Sequence, residues 1–433
     1  MDQQTDGSVA LGRNSGWELQ LVALAGVLLV TIAYWLFLSG DRYFVFDDWS
    51  WWQSRVDSDV PGRLLEPHAL SPHVGLFLGW NALTPVFGMD FMPYLLYSLL
   101  LWCLAIVGYW SLSRVLGWRG LPAVGLALVF AFIPPAVTGT HGFSGAWMGS
   151  AAAFVWSVSW LLQSKTLLAV PAIMICVFFG PPGIALWLTF TVLAILRRDR
   201  WAVAGSVMVG VVYLLWRAYY GSDAMVTDPS QTLMEPFSAA VLVDPRLPLY
   251  VVEGVVNIPL AAFGWSVIGV AAAAILVASG WMVSRHHPHQ DLPQESRTHV
   301  RGLRDSWKLP FAALAGLLGW FLSLAVVRVD LAQEYPQWFG PLATRYQFVG
   351  VVIAFVGIAG LLRRFTLPVW VGIGLIPIVV VSSVVFGLAW EGREGSLANG
   401  STDSFCASVG EFGVPVTQAR LSELERYGYV TCR

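Results

Sequence analysis

The chain has 433 residues, of which 56% are hydrophobic and 12% are charged, and its formal net charge is −2 at pH 7. Soluble domains carry about 25% charged residues, so the composition excludes an ordinary soluble protein, and the near-neutral charge does not indicate nucleic acid as a partner. Apolar segments recur from end to end, which predicts one all-α, polytopic membrane domain over residues 19–390.

The first apolar run extends from Leu19 to Leu38 and is interrupted only by Gln20. At about 1.5 Å per residue, its roughly 20 residues cross a hydrocarbon layer about 30 Å thick. The run is too long for the core of a cleavable signal, and no small-residue cleavage site follows it. We therefore expect it to remain as an anchor after a cytoplasmic segment at 1–18.

An acidic pair follows this run, in the sequence Phe46-Asp47-Asp48-Trp49. Two adjacent carboxylates at a membrane surface are costly unless something compensates them. One of them could cap a short helix over 49–52, whose Trp residues could belong to an interfacial aromatic belt. One cap needs only one Asp, so the second carboxylate still calls for a functional explanation.

The rest of the loop at 40–90 ends in an apolar stretch, Val74–Met89, that Pro85 and Gly88 interrupt. It is short for a span, and we expect a helix that lies in the membrane interface and holds the loop against the bilayer.

Basic residues predict the orientation, because they concentrate in short cytoplasmic loops. If the first span runs outward, every strong basic cluster falls inside: Arg114/Arg119, Lys165, Arg197–Arg200, Arg285–Lys308 and Arg363-Arg364. The predicted spans are 19–39, 91–113, 121–139, 144–163, 166–180, 183–196, 201–220, 263–284, 309–327, 346–362 and 367–390. This gives about eleven crossings, an internal N-terminus, a cytoplasmic loop at 285–308 and an external tail at 391–433.

One turn decides this topology. Lys165 and Arg197 both lie inside only if Gly180-Pro181-Pro182-Gly183 forms a tight turn between two short helices. A single kinked helix over 166–196 is the alternative, and it would invert everything downstream.

The predicted external segments hold three histidines, and also arginines, which positive-inside bias should deplete there. The histidines are His68, His73 and His141, and the arginines are Arg42, Arg55, Arg63, Arg246, Arg328 and Arg345. An arginine fork binds phosphate through two N–H groups, although headgroup anchoring explains a single Arg equally well. His68 and His73 could bind a metal with a carboxylate, but their spacing is unspecific. No metal or other cofactor is therefore assigned.

Cys406 and Cys432 lie in the predicted external tail, where a disulfide persists. Their loop of about 25 residues would contribute about 3 kcal/mol by the chain-entropy estimate, whereas an internal tail should hold free thiols. Cys103 and Cys176 fall inside spans as packing residues.

A first span followed by an Asp-Asp-Trp loop resembles the GT-C superfamily of integral-membrane glycosyltransferases. The resemblance continues through Leu65-Glu66-Pro67-His68, Ser71-Pro72-His73 and 87–94, and Arg345-Tyr346 is similar to an Arg-Tyr element of a bacterial group in that superfamily. It covers about residues 19–115 well. Ala69-Leu70-Ser71 stands where another polar His-Trp element would be expected, which leaves the roles of His68 and His73 open.

The resemblance implies transfer of a sugar from a polyprenyl-phosphate donor, with inversion, to an envelope glycan, lipid or protein on the outer face of the plasma membrane. Asp47 would be the base, and Asp48 would orient the acceptor or share the proton. The residues expected to bind the donor phosphate or substrate are Arg63, His68, His73, His141, Arg328, Arg345 and Tyr346. Two alternatives stay open: a transporter or lipid flippase, which needs ionisable residues deep inside spans, and an inactive GT-C-like scaffold for envelope assembly.

Overall fold

The structure is a computed structural model. It describes residues 8–39, 64–65, 67–68, 71–88, 90–118, 120–133, 145–220, 244–262, 308–334 and 344–362, with isolated positions at 381 and 385. Within these ranges only the backbone is described for 8–16, 67–68, 71, 259–260, 327–334, 344–345 and 362.

Helices dominate the described chain. They are α1 (Ser8–Ser39), α2 (Val74–Phe87), α3 (Phe91–Val115), α4 (Leu121–Ala131), α5 (Gly145–Leu162), α6 (Thr166–Phe179), α7 (Pro182–Arg197), α8 (Arg200–Tyr220), α9 (Arg246–Val256), α10 (Ile258–Ala262), α11 (Lys308–Glu334) and α12 (Thr344–Leu362). The strands are β1 (Pro67–His68) and β2 (Ser71–Pro72), a ladder of two residues each. The helical fold class is therefore confirmed.

Five of the described helices are long and apolar enough to cross a membrane: α1 from Trp17, α3, α5, α8 and the part of α11 up to Val326. Five shorter apolar helices accompany them, namely α2, α4, α6, α7 and α12. This set is compatible with a multi-pass membrane protein. The count of eleven crossings and the internal N-terminus stay predictions, since 263–284 and most of 367–390 lie outside the described residues.

Helix α3 packs against α4 and α12 through buried aromatic side chains. The Trp102 indole of α3 donates to the Ala131 carbonyl of α4 at 3.3 Å, and the Tyr109 hydroxyl donates to the Phe355 carbonyl of α12 at 3.0 Å. Tyr109 also stacks on Phe130, with ring centroids 4.4 Å apart. Buried aromatic N–H and O–H groups normally find such partners, and here the partners join α3, α4 and α12 into one core.

The turn between α6 and α7 confirms the prediction made from Gly180-Pro181-Pro182-Gly183. The Gly183 N–H donates to the Gly180 carbonyl at 3.0 Å, and α7 begins at once with Pro182. A Cβ on Gly183 would lie 2.2 Å from the Cys176 carbonyl oxygen and 2.5 Å from the Val177 Cα. Glycine is needed because the two backbones touch at this point.

Helix α2 lies across one end of the bundle. Its Gly75 and Gly79 face Phe179 at the end of α6 and Tyr97 near the start of α3, and the Tyr94 hydroxyl donates to the Gly88 carbonyl at 2.6 Å. Among the described residues, α2 therefore contacts the first turns of α3 and the end of α6. That this helix lies in the membrane interface stays a prediction.

Helices α9 and α10 pack against later helices. They belong to the segment 221–262, whose location on the external side stays a prediction. The Gly254 Cα of α9 lies against Phe321 of α11, and Ile258 of α10 lies against Gly350 of α12. The Gln347 side-chain amide of α12 also donates to the Gly254 carbonyl at 3.4 Å. Apolar residues of α9 and α10 therefore belong to the core.

Candidate functional site

The structure describes the predicted site residues unequally. Asp47, Asp48, Arg63, His141, Cys406 and Cys432 lie outside the described residues, and their assignments stay predictions. His68, Arg328 and Arg345 are described by their backbone alone, in β1, in α11 and at the second position of α12. His73 and Tyr346 are described in full.

The Pro-His segment is a short hairpin. Pro67 pairs with Pro72 and His68 with Ser71 in an antiparallel ladder. Successive pairs in such a ladder alternate between hydrogen-bonded and non-hydrogen-bonded ones. The two prolines, which have no N–H, face each other at one pair. The hairpin thus holds His68 opposite Ser71, and His73 follows it directly before the start of α2.

His73 is buried, with 4% of its surface exposed, and its ring does not cap α2. Its carbonyl instead accepts the Phe77 N–H at 2.9 Å, and its imidazole meets the Phe77 ring edge-on at 6.4 Å between centroids. A Cβ on Gly180 would lie 3.6 Å from His73 Nε2 and 3.1 Å from the Ala146 Cβ. His73, the α6–α7 turn and the first turn of α5 therefore meet.

Tyr346 belongs to an aromatic triad that also contains Trp147 and Trp320. Rings of Trp320 and Tyr346 lie 6.3 Å apart at 75°, and those of Trp147 and Trp320 lie 6.3 Å apart at 82°. The Trp320 Nε1 donates to the Tyr346 carbonyl at 2.9 Å. This bond attaches the start of α12, where Arg345 also lies, to α11.

The first turn of α5 connects these two groups. Ala146 faces the Gly180 and His73 side, and Trp147 contacts Trp320. His73 and Tyr346 are far apart in the sequence. The residues around each of them nevertheless adjoin the same first turn of α5. We call this end of the bundle the His73 end.

The loop before the hairpin is attached to the same end. The Trp216 Nε1, in the last turns of α8, donates to the Leu65 carbonyl at 2.6 Å. Trp216 stacks on Tyr213, whose hydroxyl accepts a long 3.5 Å bond from Arg217. Residues 64–73 therefore extend from the end of α8 to the α6–α7 turn.

Helix α1 leads toward this end as well. Trp17 near its start contacts Trp110 near the end of α3, and Trp35 near its own end stacks on Trp102 in the middle of α3. Because α3 begins at the His73 end, the chain leaves α1 in that direction and is back at that end by Leu64. The segment that carries Asp47 and Asp48 connects these two points.

Arg246, one of the arginines predicted outside, is engaged by a neighbouring carboxylate. Asp244 Oδ1 accepts the Arg246 backbone N–H at 2.8 Å and its Nε at 2.9 Å, and Asp244 Oδ2 is paired with Arg246 Nη2. These bonds lower the pKa of Asp244 to about 2. The pair starts α9 and makes Arg246 a weak candidate for a phosphate ligand.

Trp147, Trp216 and Trp320 were not predicted as site residues, because a Trp in an apolar run is ordinarily interpreted as a packing residue or as part of the interfacial aromatic belt. The small residues Gly145 and Ala146 were not predicted either, and their only signal is their position beside the predicted external His141. Among the described residues, no three His, Cys, Asp or Glu side chains are grouped as metal ligands would be.

No protein-family model, curated protein or solved structure matches this chain. The GT-C resemblance therefore rests on its motif residues. The geometry adds a buried imidazole, that of His73, beside the glycine turn between α6 and α7. Such groups can move protons and donate hydrogen bonds to a phosphate.

Proposed function

We propose that this chain is an integral-membrane glycosyltransferase of the GT-C type, acting on the outer face of the plasma membrane. It would take the sugar from a polyprenyl-phosphate donor and place it on an envelope glycan, lipid or protein acceptor. The observation that carries the proposal is that His73, which follows the Pro-His hairpin, and the aromatic triad at the start of α12 both lie against the first turn of α5, at one end of an apolar helical bundle.

The proposed reaction has one bond-forming and one bond-breaking step at the anomeric carbon. The acceptor oxygen attacks this carbon while Asp47 takes the acceptor proton, and the bond from the carbon to the phosphate oxygen breaks. Polyprenyl phosphate leaves with the electron pair, and the sugar configuration inverts. His73, as a hydrogen-bond donor, and Arg345 with the other predicted arginines would stabilise the negative charge that develops on the leaving phosphate.

Burial supports an enzyme over a transporter or flippase. A transport path needs ionisable side chains inside the bundle, whereas none of the buried described residues is Asp, Glu, Lys or Arg. The charged candidates named for such a path lie elsewhere: Arg217 is in the last turn of α8, and Glu253 of α9 is exposed. An inactive scaffold would have no need of the Asp47-Asp48 pair.

The test is transfer of a radiolabelled sugar from synthetic polyprenyl-phosphate donors by the purified full chain in liposomes. It would be paired with a comparison of envelope glycans and lipid-linked sugars between a deletion strain and an Asp47→Ala strain. We expect both strains to accumulate the same lipid-linked sugar. Full activity in Asp47→Ala, in Asp48→Ala and in the double variant would refute the proposal.

A further inference from the structure

A carboxylate organises the bundle end opposite the His73 end. Asp199 stands between α7 and α8, and its Oδ2 accepts the hydroxyl of Thr166, the first residue of α6, at 3.0 Å. Its Oδ1 accepts the Ala202 N–H at 3.0 Å and so caps α8. Both oxygens of Asp199 are thus engaged in joining three helix ends.

Three exposed cations surround this junction. Lys165 precedes α6, Arg198 follows α7, and Arg200 opens α8. Within the described part of the chain, none of the three forms an ion pair with Asp199 or with another carboxylate. We call Lys165, Arg198 and Arg200 the basic patch, which carries three positive charges. The neighbouring carboxylate, Asp199, already accepts hydrogen bonds from the Ala202 N–H and the Thr166 hydroxyl.

Exposed apolar side chains border the basic patch. Leu167 is 90% exposed, Trp201 is 73% exposed and Ile195 is 55% exposed. Each lies within three residues of a patch cation. An apolar surface that passes directly into a cationic one matches an amphiphile, and Trp is typical of the boundary between acyl chains and headgroups. A soluble anion would account for the cations but leave the exposed leucine and tryptophan unexplained.

We propose that the basic patch binds the phosphate of an anionic phospholipid, whose acyl chains lie against Leu167, Ile195 and Trp201. Arginine offers paired N–H donors to a phosphate, and lysine adds a compact charge. The site is independent of the proposed transferase chemistry, since it lies at the other end of the bundle.

The experiment measures lipid binding to the purified full chain in mild detergent by native mass spectrometry. Phosphatidylglycerol is the anionic probe, phosphatidylcholine is the neutral one, and glycerophosphoglycerol is the free headgroup. The test variant combines Lys165→Gln, Arg198→Asn and Arg200→Gln. Asparagine is chosen because Arg198 has a left-handed backbone with φ of 58°, which Asn tolerates.

We expect phosphatidylglycerol to bind more tightly than phosphatidylcholine, and the triple variant to lose about 100-fold in affinity, from the usual contribution of each basic residue near an anionic lipid. The charge-retaining variant Lys165→Arg/Arg198→Lys/Arg200→Lys keeps three positive charges but loses the paired donors of two arginines, so its loss of affinity should be smaller than that of the neutral triple variant. Arg217→Gln, which removes one charge at the His73 end, should leave the preference unchanged.

Three results would overturn the proposal: equal binding of the two lipids, an unchanged affinity in the triple variant, or full competition by glycerophosphoglycerol at concentrations equal to the lipid. The last result would indicate a site for a soluble anion. If the triple variant does not fold, the single Arg198→Asn change serves instead, with an expected loss of about fivefold; no loss would equally refute the site.

Discussion

The Trp216 indole N–H lies 2.6 Å from the Leu65 carbonyl oxygen, and this hydrogen bond attaches the end of α8 to the segment that follows the acidic loop. Leu65 is three residues away from His68, so the bond also restrains the hairpin. If the proposed transferase function holds, this contact controls where the loop sits relative to His73.

We therefore expect Trp216→Phe to lower the turnover number about tenfold, because loss of one hydrogen bond of this kind costs about 1 kcal/mol and releases the loop. The measurement is sugar transfer in liposomes together with the melting temperature. Trp201→Phe is the matched control, since Trp201 is on the same helix and is exposed. Equal activity in the two variants would contradict a positioning role for Trp216.

Asp47→Asn separates the two roles considered for this residue. Asparagine caps a helix about as well as aspartate does, but it cannot accept a proton as a base. If Asp47 is the base, transfer should fall by about 10²–10⁴-fold while the melting temperature stays the same. Asp47→Ala should then be no less active than Asp47→Asn. Activity in Asp47→Asn with loss of folding in Asp47→Ala would instead assign a capping role.

Gly183→Ala should destabilise the fold by about 2–4 kcal/mol, because the added Cβ would meet the backbone of Cys176 and Val177 and not a side chain that can move. Gly26→Ala in α1 is the control, since nothing lies within 4 Å of a Cβ at that position. Thermal unfolding in detergent measures both variants. A Gly183→Ala protein as stable as Gly26→Ala would show that the α6–α7 contact is looser than described.

The Asp244–Arg246 pair should respond to acid. The pKa of Asp244 lies below its ordinary value of 3.8, at about 2, so the pair stabilises the folded state above about pH 4 and loses this effect as the pH falls toward 2. Arg246→Gln removes the pair. We expect its deficit in melting temperature to be constant at neutral pH and to shrink between pH 4 and 2. A deficit independent of pH would mean that the carboxylate does not act through its charge.

His73→Ala should lower transfer by about 10-fold or more if the imidazole stabilises the leaving phosphate. His73→Gln keeps an N–H donor, so it should recover part of the loss. Phe77→Leu is a packing control on the same helical turn. If His73→Ala and Phe77→Leu reduce activity equally and lower the melting temperature alike, His73 has a packing role.

Local composition predicted much of this architecture. The apolar runs specify α1, α3, α5, α8 and α11, because a run of that length and hydropathy has few other stable forms. Glycine and proline marked the α6–α7 turn, and Pro85 with Gly88 marked α2 as too short for an ordinary span. These signals act within a few residues and need no knowledge of the packing.

The long-range contacts were not predictable in this way. Trp216 and Leu65 are far apart in sequence, and nothing in an apolar run tells which face meets which neighbour. The packing of α9 against Phe321 and the aromatic triad with Tyr346 depend on the same tertiary register. The His73 and Tyr346 assignments came from motif residues, and their common location became visible only once α5 connected them.

The close contact at Gly183 bears on how the chain is made. Helices α6 and α7 have 14 and 16 residues, or about 21 and 24 Å at 1.5 Å per residue, which is less than a typical hydrocarbon core of about 30 Å. Neither helix is a strong stop-transfer signal alone. The two should leave the translocation machinery together as one prefolded hairpin, and a bilayer around them would have to thin locally to match their length.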